Sequence, residues 1–285
     1  MNDADFFDDG SLSPEAFNAA VGESLVFGCK DLSIYSRRLL LRLVQVAQVR
    51  LYGAGGLGLN DVSVSPLGNV TLSLRIRDIL PEGGTNYLAA RHNIWELTHS
   101  PYVIKRPRKA GVPAGSRPSD YSYTASQILN RIVPHSSRGV IEVEVNSTTW
   151  RCLSDFALRI RPFDLEMALR LRKVSTIRLY GLLRNEVVQV SYSIGQLREK
   201  WGMDGRDSGT GRYLVYDDTH DFIRRTVGAA KDELDAIGFR TFDYSLGREE
   251  PEVSGHVSGR NRLTKVIFSP LYRVDTDLLA GICLN

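Results

Sequence analysis

Apolar residues recur at three- and four-residue steps through Tyr216–Gly238. Ile223, Val227, Ala230, Leu234 and Ile237 fall on one side of a helix, and Arg224, Arg225 and Lys231 on the other. Gly228 lies among the cations and leaves room for a close partner. The same period runs from Leu32 to Tyr52, with Tyr35, Leu39, Leu43, Val46 and Val49 inward and Arg38, Arg42 and Gln45 outward. It returns in Leu165–Leu183, in Tyr123–Ile132, in a short segment Arg75–Leu80, and in Asn86–His99. Thr85 can cap that last helix, which turns Tyr87, Ile94 and Leu97 inward and Asn86, Arg91, His92 and Asn93 outward. Ser193 caps a small helix that Gly202 ends. Two-residue alternation predicts strands at Asn69–Ile76, Tyr102–Lys105, Gly139–Val145, Val187–Tyr192, Phe239–Leu246 and Leu263–Phe268.

In the second half these elements run helix, strand, short helix, longer helix, then strand, loop and strand. That is the order of a winged helix, in which the longer helix enters the major groove and the hairpin loop forms a wing. The order recurs in the first half, so the pattern predicts an α+β chain of two tandem winged-helix domains. Residues 29–161 would form the first and 162–275 the second, with a seam at Arg161-Pro162-Phe163, an acidic mobile arm at 1–28 and a tail at 276–285. Ser13 and Pro14 can open a short helix at the end of the arm.

Net charge is +3 over 285 residues. The first thirty residues hold Asp3, Asp5, Asp8, Asp9, Glu15 and Glu23 against Lys30, so the body is more basic than the total suggests. Lys105, Arg106, Arg108, Lys109 and Arg117 precede the next acid, Asp120, in a stretch broken by Pro107, Gly111, Pro113, Gly115 and Pro118. Two readings stand for it: a solvated insertion, or a basic wing along phosphates. Arg260 and Arg262 lie in the loop 247–262, the second wing.

Cys29, Cys152 and Cys283 are far apart and odd in number, which suggests neither a disulfide framework nor a zinc site. The acidic N-terminus and the charges within Leu39–Leu51 argue against a secretory signal or membrane span and for a cytoplasmic protein. GAGGLG at 53–58 satisfies the glycine spacing of a dinucleotide loop, and Asp78 lies downstream. The preceding segment reads as helix rather than strand, however, and no long helix follows, so no cofactor is expected. The histidines His92, His99, His135, His220 and His256 form no His-x-His pair, and there is no P-loop. Asp217, Asp218, His220 and Asp221 suit a helix N-terminus better than a metal. No catalytic residue and no enzymatic activity are expected.

The segments STIRLYGLLRN (Ser175–Asn185), VSYSIGQLREKWGM (Val190–Met203), DFIRRTVGAAKDEL (Asp221–Leu234) and RLTKVIFSPL (Arg262–Leu271) occur in that order. Together they resemble the iteron-binding plasmid replication initiators, the tandem winged-helix Rep proteins. Ile177, Arg178, Leu179, Tyr180, Leu182 and Leu183 fit that family's S-I-R-L-Y-E-L-L phrase at the start of its C-terminal winged helix. Phe222, Arg224, Arg225 and Val227 fit the F-K-R-R-V phrase that opens its recognition helix. The resemblance covers residues 163–272 and fits 31–160 only in pattern. It departs from the family in the GAGGLG turn, the basic insertion and the acidic N-terminus. It implies a DNA-binding protein that engages repeated origin sites, opens the duplex and recruits host replication proteins. It also implies homodimers through the N-terminal winged helix that repress the protein's own promoter, and a nucleoid- or plasmid-associated location.

The expected DNA contacts are Arg224, Arg225 and Lys231 at the major groove and Arg178, Arg260 and Arg262 at phosphates. Arg91, His92 and Asn93 on the first-half helix and Lys105, Arg106, Arg108 and Lys109 in the basic stretch complete the set. This reading needs the flank around Arg224 and Arg225 to stand clear of other segments. Three rivals remain: a winged-helix transcriptional repressor, a protein-interaction module that does not touch DNA, and an ordinary solvated face on the helix of 216–238.

Overall fold

A computed structural model describes residues 13–29, 32–52, 62–81, 84–99, 101–107, 121–135, 139–208, 210–237, 240–248 and 263–272. The chain divides into two compact units, Met1–Arg172 and Lys173–Asn285.

In the first unit, helix α1 (Pro14–Glu23) begins as the sequence suggests, with Ser13 accepting from the Ala16 amide and Pro14 in the first turn. It is not part of a mobile arm. Phe17 and Val21 are buried because α1 packs along α4 (Ser147–Ala157), and Leu25 and Phe27 are buried in the π-helical turn Ser24–Gly28 that follows. The approach is close enough that a Cβ on Gly22 would stand 2.3 Å from the Cys152 carbonyl oxygen. Helix α2 (Ile34–Tyr52) is buried on nearly every side, through Leu39, Leu40, Leu41, Leu43 and Val44.

The GAGGLG turn lies outside the described residues. Strands β1 (Val62–Val64), β2 (Val70–Arg75), β5 (Leu129–His135) and β6 (Val140–Val145) form an antiparallel sheet of order β1-β2-β6-β5. Period-2 alternation sends Val70, Leu72, Ile141 and Val143 into the core. A single 3₁₀ turn, Ile76–Asp78, leads to α3 (Tyr87–Glu96), which is capped by Asn86 rather than Thr85. The segment expected to be helical at Tyr123–Ile132 is instead extended. Strand β4 (Tyr121–Gln127) pairs along its whole length with β3 (Pro101–Pro107), and β5 pairs with β6. Non-local backbone pairing outweighs a weak local helical period here.

The long helix expected at Leu165–Leu183 is two helices. Helix α5 (Pro162–Arg170) packs on α2, and its end is held by Arg38, which donates to the carbonyls of Leu169 and Leu171. Leu171 is extended and fully buried, so the chain leaves the helix there. The division between units accordingly falls after Arg172, later than the expected seam at 161/162.

The second unit runs α6 (Val174–Leu183), β7 (Val190–Ser193), α7 (Ile194–Trp201), a helical stretch over 219–237, β8 (Arg240–Arg248) and β9 (Leu263–Tyr272). The strands form an antiparallel sheet of order β7-β9-β8. Ser193 and Gln196 make a reciprocal capping box, and Gly202 ends α7 at φ +67. Phe222, Val227, Leu234, Phe242, Val266 and Phe268 close a core with Ile177, Leu179, Leu197 and Trp201. Edge-to-face aromatic contacts run from Trp201 to Phe222 and from Phe242 to Phe268.

Candidate functional site

The helical stretch 219–237 opens at α8 (Thr219–Ile223), whose cap is Asp218 accepting from the Asp221 amide. It then widens into a π-helical turn, Arg224–Gly228, and resumes as α9 (Ala229–Ile237). The Thr226 hydroxyl donates to the Phe222 carbonyl at 2.6 Å, and the Ala229 amide reaches back to Arg224. A hydroxyl competing for a main-chain acceptor is a local cause for such a turn. Ile223, Val227, Ala230 and Leu234 are buried as their spacing requires.

The opposite side carries Arg224 and Arg225, with side chains 72% and 55% exposed. Among the described residues their ion pairs are made within their own helix. Asp221, three and four residues earlier on the same face, lies 2.5 Å from Arg224 Nη2 and 3.9 Å from Arg225 Nε. The guanidinium of Arg225 also sits over the Tyr216 ring, 5.4 Å from its centroid.

A buried arginine anchors this stretch. Arg198 of α7 lies between the Tyr213 and Phe222 rings, 3.9 Å and 4.5 Å from their centroids. It donates to the carbonyls of Val215 at 3.0 Å and Tyr216 at 2.5 Å, with Asp217 at 3.5 Å. Burial pushes its pKa below the usual arginine range, and Tyr213 and Asp217 oppose that shift. Arg206 also lies over the Tyr213 ring at 4.2 Å and donates to its hydroxyl at 2.7 Å. One side chain thus fixes α7, the connector after it and the start of the next helix together.

Lys231 does not belong to the open face. Its ammonium lies 3.0 Å from both Asp235 and Asp243 and donates to the Phe242 carbonyl at 2.9 Å, so it straps α9 to β8. Arg178 cannot sit at phosphates either. It is 7% exposed and its guanidinium donates to the Trp201 carbonyl at the end of α7.

On α3, His92 is exposed beside Glu96 at 3.4 Å, and Arg91 is half-buried. The Asn93 amide donates to the Ala89 carbonyl of its own helix at 2.8 Å. Beside the exposed Asn86 and His92, α3 also turns outward Tyr87, Leu88 and Trp95, which are 45%, 80% and 53% exposed. Tyr87 was expected inward. Lys105 and Arg106 lie on the β3 backbone, while Arg108, Lys109, Arg260 and Arg262 fall outside the described residues.

The contributions of Asp221, Tyr216 and Arg198 went unread in the sequence. The three- and four-residue spacing of Asp221 to the two arginines was available as a signal. Nothing local marks Arg198 as buried. Among the described residues no helix is long and apolar enough to cross a membrane.

No family model matches the sequence, and no curated protein matches it. Among solved structures, the chain is similar to a Pi initiator protein crystallised in complex with iteron DNA. The TM-score is 0.52 at 17% identity, covering 89% of this chain and 95% of that one. The likeness extends the mixed helix-and-sheet fold over most of both chains.

Proposed function

We propose that the protein is a sequence-specific, double-stranded DNA-binding initiator of plasmid-type replication, built from two winged-helix units and without catalytic activity. In this reading α7 and the stretch 219–237 are the helix-turn-helix pair. The second enters the major groove with Arg224 and Arg225 at base edges, and the β8–β9 hairpin is the wing. The single observation that carries it is the pair of exposed guanidinium groups on the outer face of the second helix, backed by a closed hydrophobic core. The fold shared with an initiator bound to iteron DNA supports the same assignment. In this proposal the DNA contains repeated origin sites, and host replication proteins join the assembly.

The exposed Tyr87, Leu88 and Trp95 favour a different use for α3, as a protein contact, either with a second copy of the chain or with a host factor. A repressor acting at the protein's own promoter is the alternative for the whole chain. Binding of the full chain to fragments of its replicon tests these readings. Affinity for directly repeated sites, steeply weakened by salt, is the expected result. A preference for one palindrome would favour the repressor, and no salt-dependent binding would leave only the protein-interaction module.

A further inference from the structure

The face that carries Arg224 and Arg225 also carries Asp221, and the three share a strip that continues to Gly228. Other acids nearby have structural tasks. Asp218 caps the helix, and Asp217 accepts from the Tyr213 amide at 3.1 Å. The Asp221 carboxylate is 42% exposed, and its hydrogen bond and ion pairs go to the two arginines on its own face. An exposed pair of this kind contributes little to folding. Asp221 also suits the first turn of its helix, but an acid on a strip facing a polyanion repels phosphates, so it bears on DNA choice as well.

The geometry supplies the means. Asp221 approaches Arg225 from the Nε side, and the Tyr216 ring lies against the guanidinium. With Asp221 nearest its Nε, Arg225 can offer its two Nη groups as the fork that matches O6 and N7 of guanine. A carboxylate oxygen next to such a fork accepts from the N4 amine of cytosine.

Resting on the DNA-binding reading above, we propose that Asp221 is a specificity-determining residue. It orients Arg225 toward the guanine of a G·C step and withholds both arginines from phosphates of unrelated sequence. Its effect on unrelated DNA is repulsion, and on the correct site a hydrogen bond from the cytosine amine offsets that repulsion.

The test uses the full chain and a randomised duplex pool. Sites enriched by the wild type are compared with scrambled duplexes of equal composition for wild type, Asp221→Asn and Arg225→Ala. Asp221→Asn should bind scrambled duplex roughly threefold more tightly, since one repulsive charge is removed. The ratio of specific to non-specific affinity should fall about tenfold, with guanine preference lost at the position that Arg225→Ala also relaxes. The thermal midpoint should stay within a few degrees of the wild-type value, as expected for one acid in a helix's first turn and exposed ion pairs. A ratio within about twofold of wild type overturns the assignment. Failure of the wild type to enrich any sequence sinks the DNA-binding reading and this inference together, whereas enrichment with an unaltered Asp221→Asn ratio removes this inference alone.

Discussion

Helix α3 of the first unit and the stretch 219–237 of the second hold the same place in the order of elements, and in each unit arginines donate to main-chain carbonyls of the chain that leads to them. In the first unit, Arg38 and Arg42 of α2 donate to the carbonyls of Ile79 and Asp78, in the turn that leads to α3. In the second, Arg198 donates to Val215 and Tyr216 just before α8. Their outward faces differ. Helix α3 shows solvent Tyr87, Leu88 and Trp95 alongside His92 and Glu96, whereas its counterpart shows Arg224 and Arg225 with Gly228 beside them. The order of elements recurs and the surface chemistry does not, so a similar order does not argue for a shared partner.

The largest effects should come from the anchors. Replacing Arg198 with Met leaves the Val215 and Tyr216 carbonyls without their charged donor and should cost the second unit about 3 kcal/mol. Arg38→Met should do the same to the first. Of the three tryptophans, Trp201 lies in the second unit. A Trp95→Phe/Trp150→Phe background therefore makes fluorescence report that unit alone in a denaturant titration. Loss of second-unit stability from Arg38→Met in that background would contradict separate anchoring.

Alkaline titration should separate the units by a slightly smaller amount. Burial of Tyr102 raises its pKa to about 12 from 10.0, despite a hydrogen bond with Thr149. Between those values the folded unit keeps a proton that the unfolded chain has lost, so the stability present below pH 10 is lost as pH rises toward 12. The loss should be about 2 to 3 kcal/mol, confined to the first unit and abolished in Tyr102→Phe. In the second unit burial lowers the Lys231 pKa, but hydrogen bonds to Asp243 and Asp235 outweigh this and raise it above its ordinary value. Its contribution therefore persists below that ordinary value and fades at higher pH.

Surface substitutions test the difference in partners directly. Arg225→Ala should lose about 1 to 3 kcal/mol of base discrimination. Leu88→Ser with Trp95→Ser should leave DNA affinity unchanged while lowering self-association or capture of a host factor, read by sedimentation at matched concentration. A fall in DNA affinity from the α3 pair would make both helices readers and erase the contrast.

Much of the second unit was legible because its signals are local. The Ser193 box, the Gly202 stop and the apolar period from Ile223 to Leu234 each act within a few residues. The first unit was less so, because its ribbon depends on pairing Pro101–Pro107 with a segment that lies across an intervening stretch of chain. Charge misled for a related reason. Arg37, Arg38, Arg178, Arg184, Arg198 and Arg240 are all buried. Several donate to main-chain carbonyls at or near helix ends, as Arg37 does to Val26 and Cys29 and Arg178 does to Trp201. A basic sequence total therefore overstates the cationic surface. Arg178 is expected at phosphates from the sequence, and its packing reveals a structural task instead.

The smallest expected effect bears on how closely a partner approaches the second face. A Cβ added at Gly228 would lie 3.7 Å from the Tyr244 hydroxyl and 3.8 Å from the Ile223 carbonyl oxygen, which is ordinary contact. Alanine therefore fits, and lower backbone entropy in the unfolded chain should stabilise the second unit by up to about 1 kcal/mol. DNA affinity should move the other way, because the added methyl stands on the strip shared with Asp221, Arg224 and Arg225. Opposite signs for folding and binding in Gly228→Ala would show that the groove wall reaches this glycine. A gain in stability with unchanged affinity would confine contact to the two arginines and place the closest approach nearer the start of the helix.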